Sequence, residues 1–404
     1  MKKNGNEIES KALKRLLISH GFMTSGRVFF EIFMNVFIWK QTQDLTLLIW
    51  FNIIYLFMHN VAFHAFAGIV KKGKVHSPRL IGLLGYSITY FTVSLLQESA
   101  INYVLWISFI IGIFNGMYWI SYQILRFDLT NTKNRGNYSG LESAVKITAD
   151  IAMPVIAGGI ITLNYLGLGY STIFFIGAIL FLISYFIGNV KIPIKTNTEF
   201  HLRKTIKKVW NKKEFKKIYF MFLLGSFGRG SSFRRLLLPL LIFTIVSTEF
   251  NLGWIISMFS IIAIISSVIM GRIIEYGNFR RFTIFGGVIY LITFALLVLY
   301  PNLYTYIFFG CLTQIAVIMI DIPRRIIGEN VIHTIKDYKN HRIEHIVIRE
   351  WFNIGFGRMF SYIIILFVSG IAIAQLKFFL MIIFFAIIAE IVIMNRVKID
   401  FKDN

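Results

Sequence analysis

The sequence predicts an all-α membrane protein whose twelve transmembrane helices form two six-helix bundles related by pseudo-symmetry. Three observations predict this fold class: an apolar composition, twelve apolar segments of sufficient length, and an internal repeat near half the chain length. Hydrophobic residues make up 56% of the 404 residues and charged residues 15%, whereas a soluble chain carries roughly 25% charged residues. The chain has too few polar side chains to cover its surface, so most of that surface is expected to face lipid.

Twelve segments are apolar and long enough to be membrane-spanning helices. A helix needs about 20 apolar residues to cross the ~30 Å hydrocarbon core of a bilayer. Segments of this length, without an alternating ten-residue pattern, favour helices over the strands of an outer-membrane barrel. The predicted spans are 16–38, 46–70, 80–97, 101–125, 138–162, 168–190, 218–245, 253–274, 282–300, 303–326, 344–372 and 375–396.

Lysine and arginine residues are distributed unequally between the connections, and this distribution predicts the orientation. They are concentrated at both termini and after the even-numbered spans, whereas the opposite side carries only Lys40 and Lys377. The positive-inside rule then places the N- and C-termini in the cytoplasm. We therefore attribute the net charge of +22 to the basic cytoplasmic connections of a membrane protein and not to nucleic-acid binding. A composition rich in Ile, Phe and Lys is typical of an AT-rich bacterial genome, which predicts the bacterial cytoplasmic membrane as the location.

The longest polar stretch, residues 191–217, divides the predicted spans into six and six. We therefore predict an N-terminal bundle at 1–190, a basic cytoplasmic linker at 191–217 and a C-terminal bundle at 218–404. The lysines of the linker are expected to contact the anionic lipids of the inner leaflet. The first apolar run follows basic residues and lacks a small-residue cleavage site, so we expect a retained span and not a signal peptide.

Several sequence features recur about 202 residues apart, at matching depths of corresponding spans. Two parallel six-helix repeats place a substrate site between them near the membrane midplane and work by rocking around that site. The matching pairs are Gly26-Arg27 with Gly228-Arg229, Gly68 with Gly271, Lys146 with Arg349, Asp150 with Asn353, and Pro154 with Gly357.

The connection between spans eight and nine reads Gly271-Arg-Ile-Ile-Glu275-Tyr-Gly277-Asn-Phe-Arg280-Arg281. It resembles the cytoplasmic motif of the major facilitator superfamily (MFS), and the likeness to that family extends over nearly the whole chain. The copy that starts at Gly68 lacks the acidic residue. The resemblance implies the MFS fold and implies that these connections stabilise one conformation through charge contacts with neighbouring helix ends.

Two further segments are candidates for conformational change. Residues 126–136, which include Asp128 and Arg135, connect spans four and five and are interpreted as a charged conformational switch or a solvated loop. The polar stretch from Asp321 to Arg325 is expected to be its counterpart at the end of span ten. Pro154, Gly158 and Gly159 are similar to the proline–glycine motif of MFS antiporters, although with different spacing, and imply a helix bend and an exporter.

Charged residues are expected inside spans one, five, seven and eleven, whereas spans three, six, eight and nine carry none at mid-depth. An ionised side chain at the bilayer centre costs at least ~2.5–3.5 kcal/mol, so such residues should face an internal cavity and pair there. The distribution agrees with what the MFS resemblance implies, namely that helices three, six, nine and twelve are peripheral supports and that the others line the pathway.

Spans one and five contain the candidates for proton coupling. Arg27 and Glu31 are four residues apart, so they share one helix face and can pair, either within a cavity or simply to stabilise packing. Lys146 and Asp150 have the same spacing. Burial raises the pKa of a carboxylate and a neighbouring cation lowers it, so an acid between these effects can exchange a proton. We predict this role for Glu31 and Asp150, with Lys146 as the neighbouring cation.

Interior cations outnumber interior acids, which favours an anionic or zwitterionic substrate. Arg229 lies at mid-depth and is the repeat partner of Arg27, whereas Arg234 and Arg235 could equally reach the outer interface or face the cavity. The predicted substrate-binding residues are Arg27, Arg229, Arg358, Tyr118, Trp119, Gln314 and Asn353.

These features predict a secondary active transporter that moves a small organic solute by alternating access, with proton-coupled efflux favoured. The alternatives are uptake of an organic anion, lipid flipping, and a membrane sensor that does not transport. His341-Arg-Ile-Glu344-His345 fits the H-x-x-E-H pattern of inverted zinc proteases, but it lies in a short basic connection without a catalytic-domain context. The sequence contains no phosphate loop of the GxxxxGK[ST] type, which disfavours ATP-driven pumping. We expect a monomeric protein, not an enzyme, with no cofactor and no metal site.

Overall fold

The computed structural model describes residues 2–130, 135–163, 168–189, 199–229, 232–274, 277–333, 338–368 and 373–397. Within these ranges the chain is helical and contains no β-strand, as the sequence predicts. The α-helices are α1 (Lys2–Val28), α2 (Asn35–Thr42), α3 (Leu45–Lys71), α4 (His76–Leu96), α5 (Val104–Leu129), α6 (Arg135–Leu163), α7 (Gly169–Gly188), α8 (Leu202–Trp210), α9 (Lys213–Gly228), α10 (Leu238–Val246), α11 (Glu249–Ile273), α12 (Phe279–Leu299), α13 (Leu303–His333), α14 (Tyr338–Glu350), α15 (Met359–Val368) and α16 (Ile373–Arg396).

Short helical segments of other geometry join some of these α-helices. The π-helical segment Phe29–Met34 connects α1 to α2, and Trp351–Arg358 connects α14 to α15. A third π-helical segment, Phe233–Leu237, precedes α10. The 3-10 segment Gln97–Tyr103 joins α4 to α5. Several predicted spans therefore contain a change of helix geometry in their interior, which hydropathy does not indicate.

Seven helical segments in the described part of the chain are long and apolar enough to cross a membrane. One of them, His76–Leu129, is 54 residues long and contains two of the predicted spans. Predicted spans one, seven, eleven and twelve are absent from this set, and the first three of these contain a π-helical segment. The protein is a multi-pass membrane protein, and the count of twelve spans stays a prediction. The seven segments are Leu45–Lys71, His76–Leu129, Gly140–Leu163, Gly169–Gly188, Glu249–Ile273, Phe279–Leu299 and Leu303–Arg324.

The chain divides into two compact units. Unit 1 consists of Met1–Phe200 and Val246–Ser257, and unit 2 consists of His201–Ile245 and Met258–Asn404. The second half of the predicted linker is helical and belongs to unit 2. There the backbone N–H of His201, just before α8, donates a hydrogen bond of 3.0 Å to the buried carboxylate of Glu344 on α14. This bond satisfies a donor at the start of α8, where no intrahelical acceptor exists.

Glycine allows a close approach of α3 and α5 within unit 1. A Cβ atom at Gly116 would lie 2.4 Å from the carbonyl oxygen of His59 and 2.7 Å from the amide nitrogen of Phe63. Small residues at such a crossing let two membrane helices pack backbone to backbone. Asn115, beside Gly116, bonds to the His59 ring nitrogen Nδ1 at 2.7 Å and accepts a hydrogen bond from Tyr86.

Candidate functional site

Arg27 in unit 1 interacts with both carboxylates predicted to couple to protons. Its guanidinium forms an ion pair with Glu31, one helical turn later, as their four-residue spacing allows. Asp150 on α6 also interacts electrostatically with Arg27. The Arg27 side chain is 14% exposed and that of Glu31 is 31% exposed. Helices α1 and α6 therefore bring one buried cation and two acids into the same electrostatic neighbourhood.

Trp119 lies against the same arginine. The Arg27 guanidinium carbon is 6.0 Å from the centroid of the Trp119 ring, within the range of a cation–π contact. Trp119 is half-buried, so its ring provides an aromatic surface beside the charged group. Trp119 thus contacts two other predicted substrate-binding residues of unit 1, Arg27 and Tyr118.

A buried histidine, His20, organises a cluster that sequence reasoning missed. His20 is 3% exposed, and its Nδ1 atom lies 2.8 Å from the hydroxyl oxygen of Tyr118. Its ring stacks on that of Tyr122 at 4.0 Å between centroids. Tyr118, a predicted substrate residue, is fully buried with its hydroxyl bonded to this histidine. The available signal was the seven-residue spacing of His20 and Arg27, which places both on one face of α1.

Glu142 also belongs to this cluster. Its carboxylate accepts a hydrogen bond of 2.7 Å from the Tyr122 hydroxyl and one of 3.0 Å from Arg126. The same carboxylate is 3.9 Å from Nε2 of His20. Lys146, one turn later on α6, has an exposed side chain and interacts electrostatically with His20. Glu142, Lys146 and Asp150 follow one another at four-residue steps on α6. They therefore contribute to two connected groups of charges in unit 1, one at His20 and one at Arg27.

Arg229 is the centre of the corresponding charged group in unit 2. Its Nε and Nη2 atoms donate to the two oxygens of Glu390 at 2.8 and 2.5 Å. Its Nη1 atom donates to Asp321 at 2.7 Å. The Arg229 side chain is 2% exposed and the Glu390 side chain is fully buried, whereas Asp321 is 41% exposed. This is a bidentate arginine–carboxylate pair with a second carboxylate on the remaining nitrogen.

Arg324 is the second cation of this group. Its Nη1 atom lies 3.8 Å from Asp321 and 3.7 Å from Glu390, and Nη2 donates to the side-chain oxygen of Asn353 at 3.3 Å. We name Arg229, Arg324, Asp321 and Glu390 the Arg229 cluster. It contains two arginines and two carboxylates, so it is electrically balanced. Asn353, a predicted substrate residue, lies at the edge of this cluster.

The Arg229 cluster corrects one expectation. Interior charges were expected in spans one, five, seven and eleven, but Glu390 is buried on α16, which corresponds to the twelfth predicted span. Asp321 was expected to begin the counterpart of the switch segment at the end of span ten, and that role stays a prediction. In this structure α13 continues to His333, and Asp321 pairs with a buried arginine. A lone glutamate in the apolar twelfth span was the available signal, because an unpaired charge there is costly.

The three π-helical segments in the described residues all lie beside predicted interior arginines. Arg27 precedes the first, Arg234 and Arg235 lie within the second, and Arg358 ends the third. In each half a Gly-Arg pair, Gly26-Arg27 or Gly228-Arg229, precedes a π-helical segment. π-Bulges occur frequently at functional sites because they redirect side chains within a helix. Arg358 is half-buried, as is Gln314 on α13.

Pro154, Gly158 and Gly159 lie within α6, which continues through the proline. A Cβ atom at Gly158 would lie 2.3 Å from the carbonyl oxygen of Glu249, whereas one at Gly159 would reach only the Phe250 ring at 3.8 Å. Gly158 therefore allows close packing of α6 against the start of α11. The helix-bend role of this motif stays a prediction.

Glu249 is itself held by two polar partners within unit 1. Its carboxylate oxygen Oε1 is 2.7 Å from Nζ of Lys40 and accepts a hydrogen bond of 2.8 Å from the Tyr170 hydroxyl. Glu249 is 5% exposed. The lysine thus neutralises a buried acid at the beginning of α11.

The glycines of the predicted switch motifs are not required by packing in this structure. A Cβ atom at Gly68, Gly271 or Gly277 would meet no other atom within 4 Å. Glu275, the acidic residue of the motif, lies outside the described residues.

The basic residues of the motif, Arg280 and Arg281, are exposed at the start of α12. Asp128 is half-buried at the end of α5, and Arg135 is the first residue of α6, although its side chain lies outside the described part. The proposed switching role of these residues stays a prediction.

The H-x-x-E-H segment has structural partners in unit 2. Glu344 accepts the hydrogen bond from His201 described above, and His345 Nδ1 lies 3.1 Å from the hydroxyl oxygen of Tyr219. Within the described ranges there is no group of three or more His, Cys, Asp or Glu residues that could hold a metal ion.

Comparisons with known proteins agree on the kind of molecule. The family model of the Major Facilitator Superfamily matches residues 16–323. The uncharacterized protein YqgE of Bacillus subtilis is 23% identical over 353 residues, which is 87% of this chain and 81% of that protein. An uncharacterized protein encoded in the sodM 3' region of Geobacillus stearothermophilus is 27% identical over 173 residues, covering 43% of this chain and 81% of that protein.

Two solved structures share the fold. A bacterial metal transporter has a TM-score of 0.60 at 11% identity and covers 96% of this chain and 98% of its own. A bacterial homologue of the iron transporter ferroportin, crystallised in an inward-facing state, has a TM-score of 0.62 at 14% identity. That alignment covers 97% of this chain and 98% of the homologue.

Proposed function

We propose a transport function for this chain, which belongs to the Major Facilitator Superfamily: it is a secondary active transporter that moves a small organic solute by alternating access. Proton-coupled efflux across a bacterial cytoplasmic membrane, with both termini in the cytoplasm, is the mode that the residues favour. Family membership supports transport. The charged groups inside each unit support the coupling mechanism.

The observation that carries the coupling proposal is the ion pair of Arg27 with Glu31, together with the electrostatic influence of Asp150 on the same arginine. When both carboxylates are ionised, one arginine faces two negative charges. Protonation of one acid removes a charge and leaves Arg27 paired with the other acid. Glu31 lies in the π-helical segment Phe29–Met34 that follows α1, whereas Asp150 lies on α6, so the protonation state changes whether Arg27 is bound within its own helical segment or to α6.

This exchange links protonation to helix position. An ion pair in a low-dielectric interior is strong, and an unpaired charge there is costly. A proton that enters from one compartment therefore shifts the relative stability of the arrangements of α1 and α6. Release of the proton to the other compartment restores the original pairing. Trp119 beside Arg27 offers an aromatic surface for the solute at the same place.

Other substrates and modes compete with this proposal and can be separated experimentally. Uptake of an organic anion reverses the direction of flux, a lipid flippase acts on labelled lipid, and a sensor binds ligand without flux. One of the two solved structures is a metal transporter and the other is a homologue of an iron transporter, so a metal ion is a further substrate to test. We expect a monomer.

We expect Asp150→Asn and Glu31→Gln to abolish transport driven by a pH gradient. Proteoliposomes with an imposed pH gradient are assayed for movement of ethidium, benzoate, glycine, Mn²⁺ and a fluorescent phospholipid. The wild-type protein should move at least one of these, and the asparagine variant should move it without a response to the gradient. The asparagine amide cannot gain or lose a proton in this range, so coupling is lost while solute exchange can persist.

Glu98→Gln is the matched control, because Glu98 is an exposed acid outside the charged groups. It should leave coupling unchanged. Full coupling in the Asp150→Asn and Glu31→Gln variants would contradict the proposed mechanism. Binding without flux of any probe would favour the sensor.

A further inference from the structure

Arg234 is a partly buried cation for which the structure records neither a hydrogen bond nor an ion pair within the described residues. It is the second residue of the π-helical segment Phe233–Leu237. Its side chain is half-buried, and its Nη1 atom is shielded from solvent without a hydrogen-bond partner. A buried guanidinium without an acceptor is costly, because the interior does not replace the water that it loses. Such a group is a binding site for an anion that the described residues do not supply.

The surroundings of Arg234 do not supply a counter-ion. Its electrostatic neighbours include Tyr290 on α12, Asp321 on α13 and the cation Arg229. Asp321 is 2.7 Å from Arg229 and is already paired with it. Adding Arg234 to the Arg229 cluster gives three arginines against two carboxylates. Among these five described residues, the positive charges therefore outnumber the negative charges by one.

The sequence favours Arg229 as the substrate ligand, but Arg229, unlike Arg234, is already paired with carboxylates. Three of its nitrogen atoms donate to carboxylate oxygens, and its side chain is 2% exposed. A solute anion that displaced Glu390 from Arg229 would leave a fully buried carboxylate without its partner. Arg234 can accept an anion without breaking an existing pair.

We infer that Arg234 binds the anionic group of the transported solute, a carboxylate or a phosphate, within unit 2. This inference rests on the proposed transport function and names the substrate class: an organic anion or zwitterion. Guanidinium matches both groups because its planar N–H donors form paired hydrogen bonds with two oxygens. Arg234 lies within a π-helical segment, and such segments depart from the regular helical register and are frequent at functional sites.

The test compares the purified full-length protein in a neutral detergent with its Arg234→Gln, Arg234→Lys and Arg235→Gln variants. Thermal unfolding is measured at constant ionic strength with sodium benzoate, sodium phosphate or sodium chloride. Benzamide serves as the uncharged counterpart of benzoate. Phosphatidylglycerol and phosphatidylcholine are added in separate samples to distinguish a lipid headgroup from a soluble anion. Arg235, which is exposed and adjacent, provides the matched control for loss of one positive charge.

Benzoate or phosphate should raise the melting temperature of the wild type and of Arg235→Gln by about 2 °C or more relative to chloride. The increase should be absent in Arg234→Gln, partly restored in Arg234→Lys, and absent with benzamide. Without added anion, Arg234→Gln should melt no lower than the wild type, because the substitution removes an unpaired charge.

The absence of an anion effect in the wild type, or its persistence in Arg234→Gln, would overturn the inference. A lower melting temperature for Arg234→Gln without anion would also overturn it, since it would show that Arg234 is a structural partner. Stabilisation by phosphatidylglycerol alone would assign the site to lipid and reject the solute. If an anion bound at Arg234 but the protein moved no probe, the proposed transport function would be wrong and the anion site at Arg234 would be supported. Transport of an anion unaffected by Arg234→Gln would reject the site and keep the function.

Discussion

Replacing Arg229 with glutamine is expected to lower the thermal stability of the purified protein sharply. The substitution leaves Glu390, whose side chain is fully buried, without its bidentate partner. Removal of one member of a buried ion pair costs about 3–5 kcal/mol, because the remaining charge stays in a low-dielectric environment. Thermal unfolding in detergent, followed by the loss of monodisperse protein, measures the effect.

The double variant Arg229→Gln/Glu390→Gln should recover most of the lost stability. Two neutral amides can hydrogen-bond to each other and leave no buried charge, while Asp321, with a side chain 41% exposed, stays solvated. Arg235→Gln removes an exposed arginine nearby and should have little effect. If the Glu390→Gln substitution instead added a further loss of stability, the pair would not be the energetic unit that the structure indicates.

Gly116→Val is expected to disrupt the packing of α3 against α5. A Cβ atom at this position would lie 2.4 Å from the His59 carbonyl oxygen and 2.7 Å from the Phe63 amide nitrogen. These are backbone atoms, so relief requires the two helices to separate and cannot come from a side-chain rotation. Overpacking of a tight interior costs about 1–3 kcal/mol, which should appear as a lower melting temperature and a lower yield of folded protein.

Gly140→Ala on α6 is the matched control, because a Cβ atom there would meet nothing within 4 Å. Alanine is a better helix former than glycine by about 1 kcal/mol, so this variant should be as stable as the wild type or more stable. Equal loss of stability in both variants would show that the loss of glycine flexibility, and not the helix contact, causes the effect.

Arg229 and Arg234 illustrate how residues of the same type in one helical region can have opposite roles. Arg229 is neutralised by carboxylates and is expected to be required for stability. Arg234 has no such partner among the residues that the structure describes, and it is expected to lower stability unless an anion is bound. The sequence places both arginines in the seventh predicted span, five residues apart, and offers no means to distinguish them.

Much of the fold could be predicted from the sequence. Composition and segment length predict an all-α membrane protein, which the helical structure and its membrane-length helices confirm. The motif between Gly271 and Arg281 indicates the Major Facilitator Superfamily, which the family match confirms. These predictions succeed because lipid imposes a local rule: each segment that crosses the hydrocarbon core must be apolar and must satisfy its own backbone hydrogen bonds.

Less of the candidate site could be predicted from the sequence. Spacing along one helix predicted the pairing of Arg27 with Glu31, since residues four apart face the same side. It missed His20, whose partners Tyr118 and Tyr122 lie about one hundred positions away in the chain. It also missed Glu390, which was placed on a peripheral helix by the MFS resemblance and was therefore not considered an interior charge.

The sequence by itself determined the environment of this protein, its helical character, its family and the presence of charges that lipid cannot accommodate unpaired. The tertiary structure decided which of those charges are satisfied. Arg229 meets Asp321 and Glu390 across separations of 92 and 161 residues, and no local spacing rule extends that far. Hydropathy depends on the residues of one segment, whereas the energy of a buried charge depends on the distance to its partner, which exists only once the helices have packed.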